Sequence, residues 1–102
     1  MPTFVTVATT EELPPGMRAV FDIDGRYVAV FNVDGRYYAI EDRCTHDDGP
    51  VAEGELSGTV IECPRHGATF DITTGAVLSL PAVKPVTRYA TRVLGNEVQV
   101  EV

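Results

Sequence analysis

The stretch from Cys44 to His66 reads CTHDDGPVAEGELSGTVIECPRH, and it contains every cysteine and every histidine of the chain. They form two pairs, Cys44-x-His46 and Cys63-x-x-His66, which are separated by sixteen residues. Each pair comes after strand-like sequence and opens a loop that contains glycine or proline. We therefore predict two loops that converge on one metal centre. Thiolate ligands favour zinc, copper(I) or an iron–sulfur cluster there, and imidazole suits all three.

Two other interpretations of these four residues are open. Two buried cysteines and two incidental histidines would need no metal, although neither residue type occurs anywhere else in the chain. A structural zinc site would also use two thiolates and two imidazoles, but zinc modules usually keep like ligands together, as C-x2–4-C and H-x3–5-H. Here each loop supplies one ligand of each type. That pattern suits an asymmetric cluster in which both thiolates bind one metal ion and both imidazoles bind the other.

Length, charge and composition exclude several classes of function. The chain has 102 residues and a mass of 11.0 kDa, which is one domain with no room for a flavin or dinucleotide domain beside it. Its net charge of −7 argues against nucleic acid or an anionic membrane as partner. No apolar run approaches the roughly 20 residues of a membrane helix, and no secretory signal is visible. Two cysteines are too few for a disulfide framework, so we expect a cytoplasmic protein.

Short strands and turns make up the rest of the sequence. Asp24-Gly25 and Asp34-Gly35 lie between β-prone segments and predict two successive type I′ hairpins. In segment 97–102 the valines are predicted to face the core, and Gln99 and its two glutamate neighbours to face solvent. No helix of normal length is evident. We predict an all-β fold, an antiparallel β-sandwich or barrel, with strands at 4–7, 17–21, 27–32, 37–40, 59–61, 76–78, 87–93 and 97–102.

The two Cys/His pairs resemble the two cluster-binding boxes of the Rieske [2Fe–2S] family. Leu80-Pro81-Ala82 resembles that family's proline loop, which packs beside the cluster. The resemblance implies a single Rieske domain over residues 1–102. Its base strands would be 1–41 and 86–102, and its cluster-binding lobe, formed by two loops, would be 42–85.

The resemblance also implies the cofactor and its ligands. One [2Fe–2S] cluster per chain would have Cys44 and Cys63 on the inner iron, and His46 and His66 on the outer, more exposed iron. The exposed histidine edges would be the electron port, beside the polar loop residues Asp47, Asp48 and Arg65. Phe70 and Leu80 are interpreted as core residues, with shielding of the cluster from water as the alternative.

Differences from two Rieske subfamilies narrow the expected function. Rieske subunits of cytochrome complexes carry an extra disulfide-forming cysteine in each loop, where this chain has Gly49 and Arg65. They also have serine and tyrosine where this chain has Ala68 and Phe70. The missing hydroxyls predict a potential near the low end of the Rieske range, roughly −150 mV rather than +300 mV. Large oxygenase subunits need a further iron held by two histidines and a carboxylate, and both histidines are already assigned here.

The remaining type is a stand-alone ferredoxin, similar to the electron-transfer components of multicomponent dioxygenases of aromatic hydrocarbon catabolism. Such a protein would be a monomer without a catalytic site of its own. It would pass single electrons from an NAD(P)H-dependent flavoprotein reductase to a terminal oxygenase. Two alternatives remain open: the small Rieske subunit of a nitrite reductase-type enzyme, and an accessory ferredoxin in iron–sulfur cluster assembly.

Overall fold

The computed structural model of the chain describes residues 3–43, 49–64, 67–80, 82 and 84–102. This part of the chain has eleven antiparallel β-strands and no helix, and therefore no apolar helix long enough to cross a membrane. The predicted all-β fold is confirmed. The strands are β1 (Phe4–Thr9), β2 (Arg18–Ile23), β3 (Arg26–Val33), β4 (Arg36–Glu41), β5 (Leu56–Ser57), β6 (Val60–Glu62), β7 (Thr69–Asp71), β8 (Val77–Ser79), β9 (Arg88–Tyr89), β10 (Thr91–Leu94) and β11 (Glu97–Glu101).

Two sheets form the base of the molecule. One has the strand order β1-β11-β10, and the other has the order β2-β3-β4-β9. In the second sheet, β2, β3 and β4 are the predicted pair of hairpins. Asp24 and Gly25 have φ angles of 51° and 84°, and Asp34 and Gly35 have φ angles of 54° and 91°. Both central residues of each turn thus have the positive φ that a type I′ turn requires, as the sequence predicted.

A third sheet, of order β5-β6-β7-β8, lies in the segment between β4 and β9. We call it the lobe sheet. Its strands are two or three residues long, and β5 and β7 lie in segments where the sequence shows no alternation. The register between β7 and β8 shifts at Thr69 and Phe70, where the Thr69 and Ser79 hydroxyls are 2.7 Å apart. Because β6 ends at Glu62, the lobe sheet leads directly into Cys63.

The predicted strand over 87–93 is wrong as a single element. Arg88–Tyr89 pairs with β4, whereas Thr91–Leu94 pairs with β11 in the other base sheet. The chain changes sheet at Ala90, whose carbonyl accepts a hydrogen bond from the Glu101 N–H at 2.9 Å. An alternating pattern does not reveal such a change of partner, because it indicates an extended strand and not the sheet in which that strand pairs. The other predicted strands differ from the observed ones by no more than two residues at either end.

Gln99 was predicted to face solvent, but it is buried. It lies between Val98 and Val100 on the opposite face of β11, as the alternation requires. Its amide donates a hydrogen bond from Nε2 to Thr6 Oγ1 at 3.0 Å, and its Oε1 accepts one from Arg92 Nε at 2.6 Å. Side chains from the neighbouring strands therefore cover it, and its polar atoms have partners.

Two hydrophobic clusters lie on the two faces of the sheet that contains β3. Val28 and Val30 belong to the cluster inside the base, and Ala29 and Phe31 belong to the cluster under the lobe sheet. All four side chains are completely buried. A strand that is apolar on both faces is typical of a central layer. The second cluster includes Cys63, so the same packing that attaches the lobe sheet to the base also fixes a predicted metal ligand.

Candidate metal centre

Cys63 is the predicted metal ligand that falls among the described residues. Cys44, His46 and His66 lie outside them, as do the predicted electron-port residues Asp47, Asp48 and Arg65. Cys63 is a free cysteine and is completely buried. It packs in the hydrophobic cluster under the lobe sheet, together with Ile61, Ala68, Phe70 and Ile72.

A tight turn follows Cys63. The Cys63 N–H donates to the Ala68 carbonyl at 2.7 Å, and the Gly67 N–H donates to the Cys63 carbonyl at 3.0 Å. Gly67 has a φ of 77°, a conformation that glycine adopts without a steric penalty. Cys63 therefore stands at the start of the turn that joins β6 to β7.

The chain next to the first Cys/His pair is also fixed by hydrogen bonds. Asp42 directly follows β4, and its N–H donates to the Tyr27 carbonyl at 2.8 Å. Its carboxylate Oδ1 accepts hydrogen bonds from the N–H groups of Val51 at 2.9 Å and Ala52 at 2.8 Å. Residues 43–50, which include Cys44 and His46, thus connect Asp42 to Val51, and these two residues are hydrogen-bonded to each other.

The segment Val51–Glu55, which we call the brace, contacts the chain on both sides of the predicted site. Asp42 holds its beginning, and Glu62, the residue before Cys63, donates its N–H to the Glu55 carbonyl at 2.9 Å. The residues that precede the two boxes are therefore attached to one short segment. This arrangement supports the predicted convergence of the two loops.

The brace is also bonded to the base. Arg18 on β2 donates from Nη1 to the carbonyl of Ala52 at 2.9 Å and to that of Gly54 at 2.7 Å. Its guanidinium carbon lies 5.9 Å from the centroid of the Phe31 ring. A guanidinium is well suited to bind two carbonyl oxygens, because the group is always positively charged and its N–H donors have a fixed geometry.

Titratable groups surround the end of β4. Burial raises the pKa of Tyr89, and the nearby negative charge of Glu41 raises it further, whereas Arg26 partly lowers it. The tyrosine hydroxyl therefore stays neutral at pH 7. Glu41 also forms a salt bridge with Arg43, the residue before Cys44, with 3.7 Å between Glu41 Oε1 and Arg43 Nη1.

The two residues interpreted as core differ in the structure. Phe70 is completely buried, as predicted, but the prediction for Leu80 is wrong, because its side chain is 75% exposed. Leu80 follows β8, which is the edge strand of the lobe sheet. Among the described residues, no further strand of that sheet lies beside β8 to cover Leu80.

A model of the Rieske [2Fe–2S] domain matches residues 3–90. This chain belongs to the Rieske [2Fe–2S] domain family. The predicted family is thereby confirmed, and the cofactor of the domain is a Rieske-type [2Fe–2S] cluster.

Individual Rieske proteins resemble the chain over almost its whole length. It is 39% identical over 100 residues to the biphenyl dioxygenase ferredoxin subunit of Pseudomonas sp. strain KKS102, covering 97% of this chain and 92% of that protein. The ferredoxin of carbazole 1,9a-dioxygenase from Nocardioides aromaticivorans IC177 superimposes with a TM-score of 0.90 at 40% identity, with 96% of each chain covered. The predicted Rieske fold is thus confirmed.

A third similar structure contains a partner. It is the complex of reduced oxygenase and oxidized ferredoxin in carbazole 1,9a-dioxygenase, and the matching chain has a TM-score of 0.90 and 35% identity. The match covers 96% of this chain and 92% of that one. That protein therefore forms a complex with an oxygenase.

The described residues fit a Rieske cluster. A completely buried thiol that forms no disulfide lies at the start of a tight turn, where a metal ion can be bound away from water. Two thiolates and two imidazoles are the donor set that distinguishes Rieske clusters from clusters bound by four cysteines.

Proposed function

We propose that this Rieske protein is the ferredoxin of a ring-hydroxylating dioxygenase system. It carries single electrons from an NAD(P)H-dependent flavoprotein reductase to a terminal oxygenase. The main support is its sequence similarity to ferredoxin subunits over nearly the full length of both proteins. The alignment with the biphenyl dioxygenase ferredoxin subunit covers 97% of this chain and 92% of that protein.

Four residues are proposed as ligands: Cys44 and Cys63 for the inner iron, and His46 and His66 for the outer iron. The complete burial of Cys63 supports its inner position. When bound, the cluster accepts and releases one electron at a time. The role of the polypeptide is to hold the two thiolates in an apolar core and to direct the histidines toward the partner protein.

The organisation that accompanies this function is one Rieske domain over residues 1–102. We propose that residues 1–41 and 86–102 form its base and residues 42–85 its cluster-binding lobe. We also propose that the protein is a cytoplasmic monomer that alternates between its two partners. A free cysteine in the core is consistent with a reducing compartment.

Metal analysis and reconstitution test this function. Purified protein should contain about two irons and two acid-labile sulfides per chain. After reduction with dithionite, its EPR spectrum should have an average g below that of clusters with four thiolates. The protein should run as a monomer on gel filtration and restore turnover when it is added to its reductase and oxygenase. A colourless, zinc-loaded product would contradict the cofactor, and obligate co-purification with a large reductase subunit would contradict the shuttle.

The missing hydroxyl at Ala68 gives a prediction about the potential. Ala68 is completely buried, and its carbonyl accepts the hydrogen bond from the Cys63 N–H. The substitution Ala68→Ser is expected to raise the midpoint potential, because a hydroxyl that donates a hydrogen bond toward the cluster would stabilise its more negative, reduced state. A bond that is about 1.4 kcal/mol stronger in the reduced state would raise the potential by about 60 mV.

The matched control for this prediction is Ala29→Ser. Ala29 is equally buried in the same hydrophobic cluster, but it lies on β3 in the base. Spectroelectrochemical titration of both variants measures the difference. Equal potentials in the two variants would contradict the prediction.

A further inference from the structure

The brace, Val51–Glu55, is held by side chains outside the predicted ligand set. One carboxylate oxygen of Asp42 accepts two backbone N–H groups at its start. One nitrogen of Arg18 donates to two of its carbonyls. Val51 and Ala52 are buried, so their polar backbone groups have little access to water. Both charged side chains satisfy groups that would otherwise be buried without partners.

The position of these bonds connects them with the cluster. Asp42 lies two residues before Cys44, and Glu62, which bonds to the end of the brace, lies one residue before Cys63. A displacement of the brace would therefore move the residues next to both boxes relative to each other. The bonds from Arg18 fix the brace against β2 of the base, which limits such a displacement.

We propose that Asp42 and Arg18 are positioning residues for the cluster. Together they fix the brace and thereby set the separation of the two ligand loops. This inference rests on the proposed ligands, since it concerns the geometry in which Cys44 and Cys63 meet the same iron. Neither Asp42 nor Arg18 binds the metal.

The strength of these bonds determines the expected effect. Hydrogen bonds to a charged group are stronger than those between neutral groups, and removing the acceptor leaves two buried N–H groups without a partner. The variant Asp42→Ala should therefore lose its cluster about tenfold faster than the wild type. Asp42→Asn keeps an oxygen that accepts both bonds, and it should stay within about twofold of the wild type.

Asp71→Ala is the matched control. Asp71 is likewise half-buried, and its Oδ1 also accepts two hydrogen bonds, from the N–H and the hydroxyl of Thr73. It lies in the lobe sheet, paired with Val60 at the far end of β6 from Cys63. If general loosening of the lobe were the cause, Asp71→Ala and Asp42→Ala would lose the cluster equally fast.

The experiment follows the loss of visible absorbance when the holoprotein is challenged with an iron chelator. The temperature is set where circular dichroism shows every variant to be folded. We expect fast loss in Asp42→Ala, together with shifted or broadened EPR features that return to the wild-type values in Asp42→Asn. Arg18→Lys keeps the positive charge and N–H donors on one nitrogen but loses the rigid, planar geometry of the guanidinium, so it should lose the cluster about threefold faster than the wild type.

The outcomes separate this inference from the proposed function. If the wild type contains no iron and sulfide, the proposed function fails. If the wild type holds its cluster but Asp42→Ala matches Asp71→Ala in rate and in EPR spectrum, the function stands and the positioning role is wrong. If Asp42→Ala does not fold, Arg18→Lys decides: a rate equal to that of Asp71→Ala overturns the proposal, and a faster rate supports it.

Discussion

Alanine in place of Gly54 is expected to destabilise the lobe severely. A Cβ atom at this position would overlap the carbonyl oxygen of Glu62 and lie 2.8 Å from its carbonyl carbon. Both are backbone atoms, so no side-chain rotation relieves the overlap, and the brace must move away from β6. We expect a loss of at least about 3 kcal/mol in unfolding free energy, the upper end of the usual cost of overpacking. For a domain of this size this corresponds to a fall of at least about 12 °C in thermal midpoint.

Gly58→Ala is the control for this substitution. Gly58 has a φ of 62° but open space where a Cβ would be placed, so alanine there costs only backbone strain of about 1 kcal/mol. Circular dichroism melts of the two holoproteins at one scan rate measure the difference. If Gly54→Ala melts no lower than Gly58→Ala, the close approach of the brace to β6 is not needed for stability.

Removal of the Cys63 thiol is expected to abolish cluster binding. In Cys63→Ala the inner iron loses one of its two proposed thiolates, and a buried methyl group offers no replacement. The variant should be purified without the visible absorption of the cluster and with almost no iron or acid-labile sulfide. Because metal binding adds to folding free energy, its thermal midpoint should also fall.

The loss of packing volume in Cys63→Ala needs its own control. Ile61→Val removes one buried methylene from the same hydrophobic cluster, on the strand β6 that precedes Cys63, and it should cost about 0.5–1.5 kcal/mol while leaving iron and sulfide unchanged. Iron and sulfide analysis of both variants distinguishes the two effects. A Cys63→Ala protein with full metal content and an unchanged EPR spectrum would rule out Cys63 as a ligand.

Much of the fold could be predicted because its determinants are local. The Asp-Gly pairs at 24–25 and 34–35 require positive φ at adjacent residues, and few structures other than a tight hairpin meet this requirement. The family was evident for a similar reason, since all cysteines and histidines lie in two short boxes. The ligand assignment of Cys44, His46, Cys63 and His66 stays a prediction.

The residues that hold the boxes together could not be found in this way. Arg18 bonds to carbonyls 34 and 36 residues further along the chain, and nothing in its own neighbourhood points to them. Gly54 looks like any loop glycine, because its role is a close approach and not an unusual φ. Asp42 had a weak signal, since aspartate before an irregular segment often accepts backbone N–H groups. The split of 87–93 and the covering of Gln99 likewise depend on strands far apart in sequence.

The double-sided burial of β3 bears on how the two Cys/His boxes can be reused in protein design. Ala29 and Phe31 complete the packing around Cys63, while Val28 and Val30 fill the base. An excised peptide containing both boxes would lack the β3 side chains that form one side of the hydrophobic cluster around Cys63. The two boxes alone are therefore not sufficient to form the site in another protein. Transplanting them to another scaffold requires a recipient sheet that presents equivalent apolar side chains at the same depth.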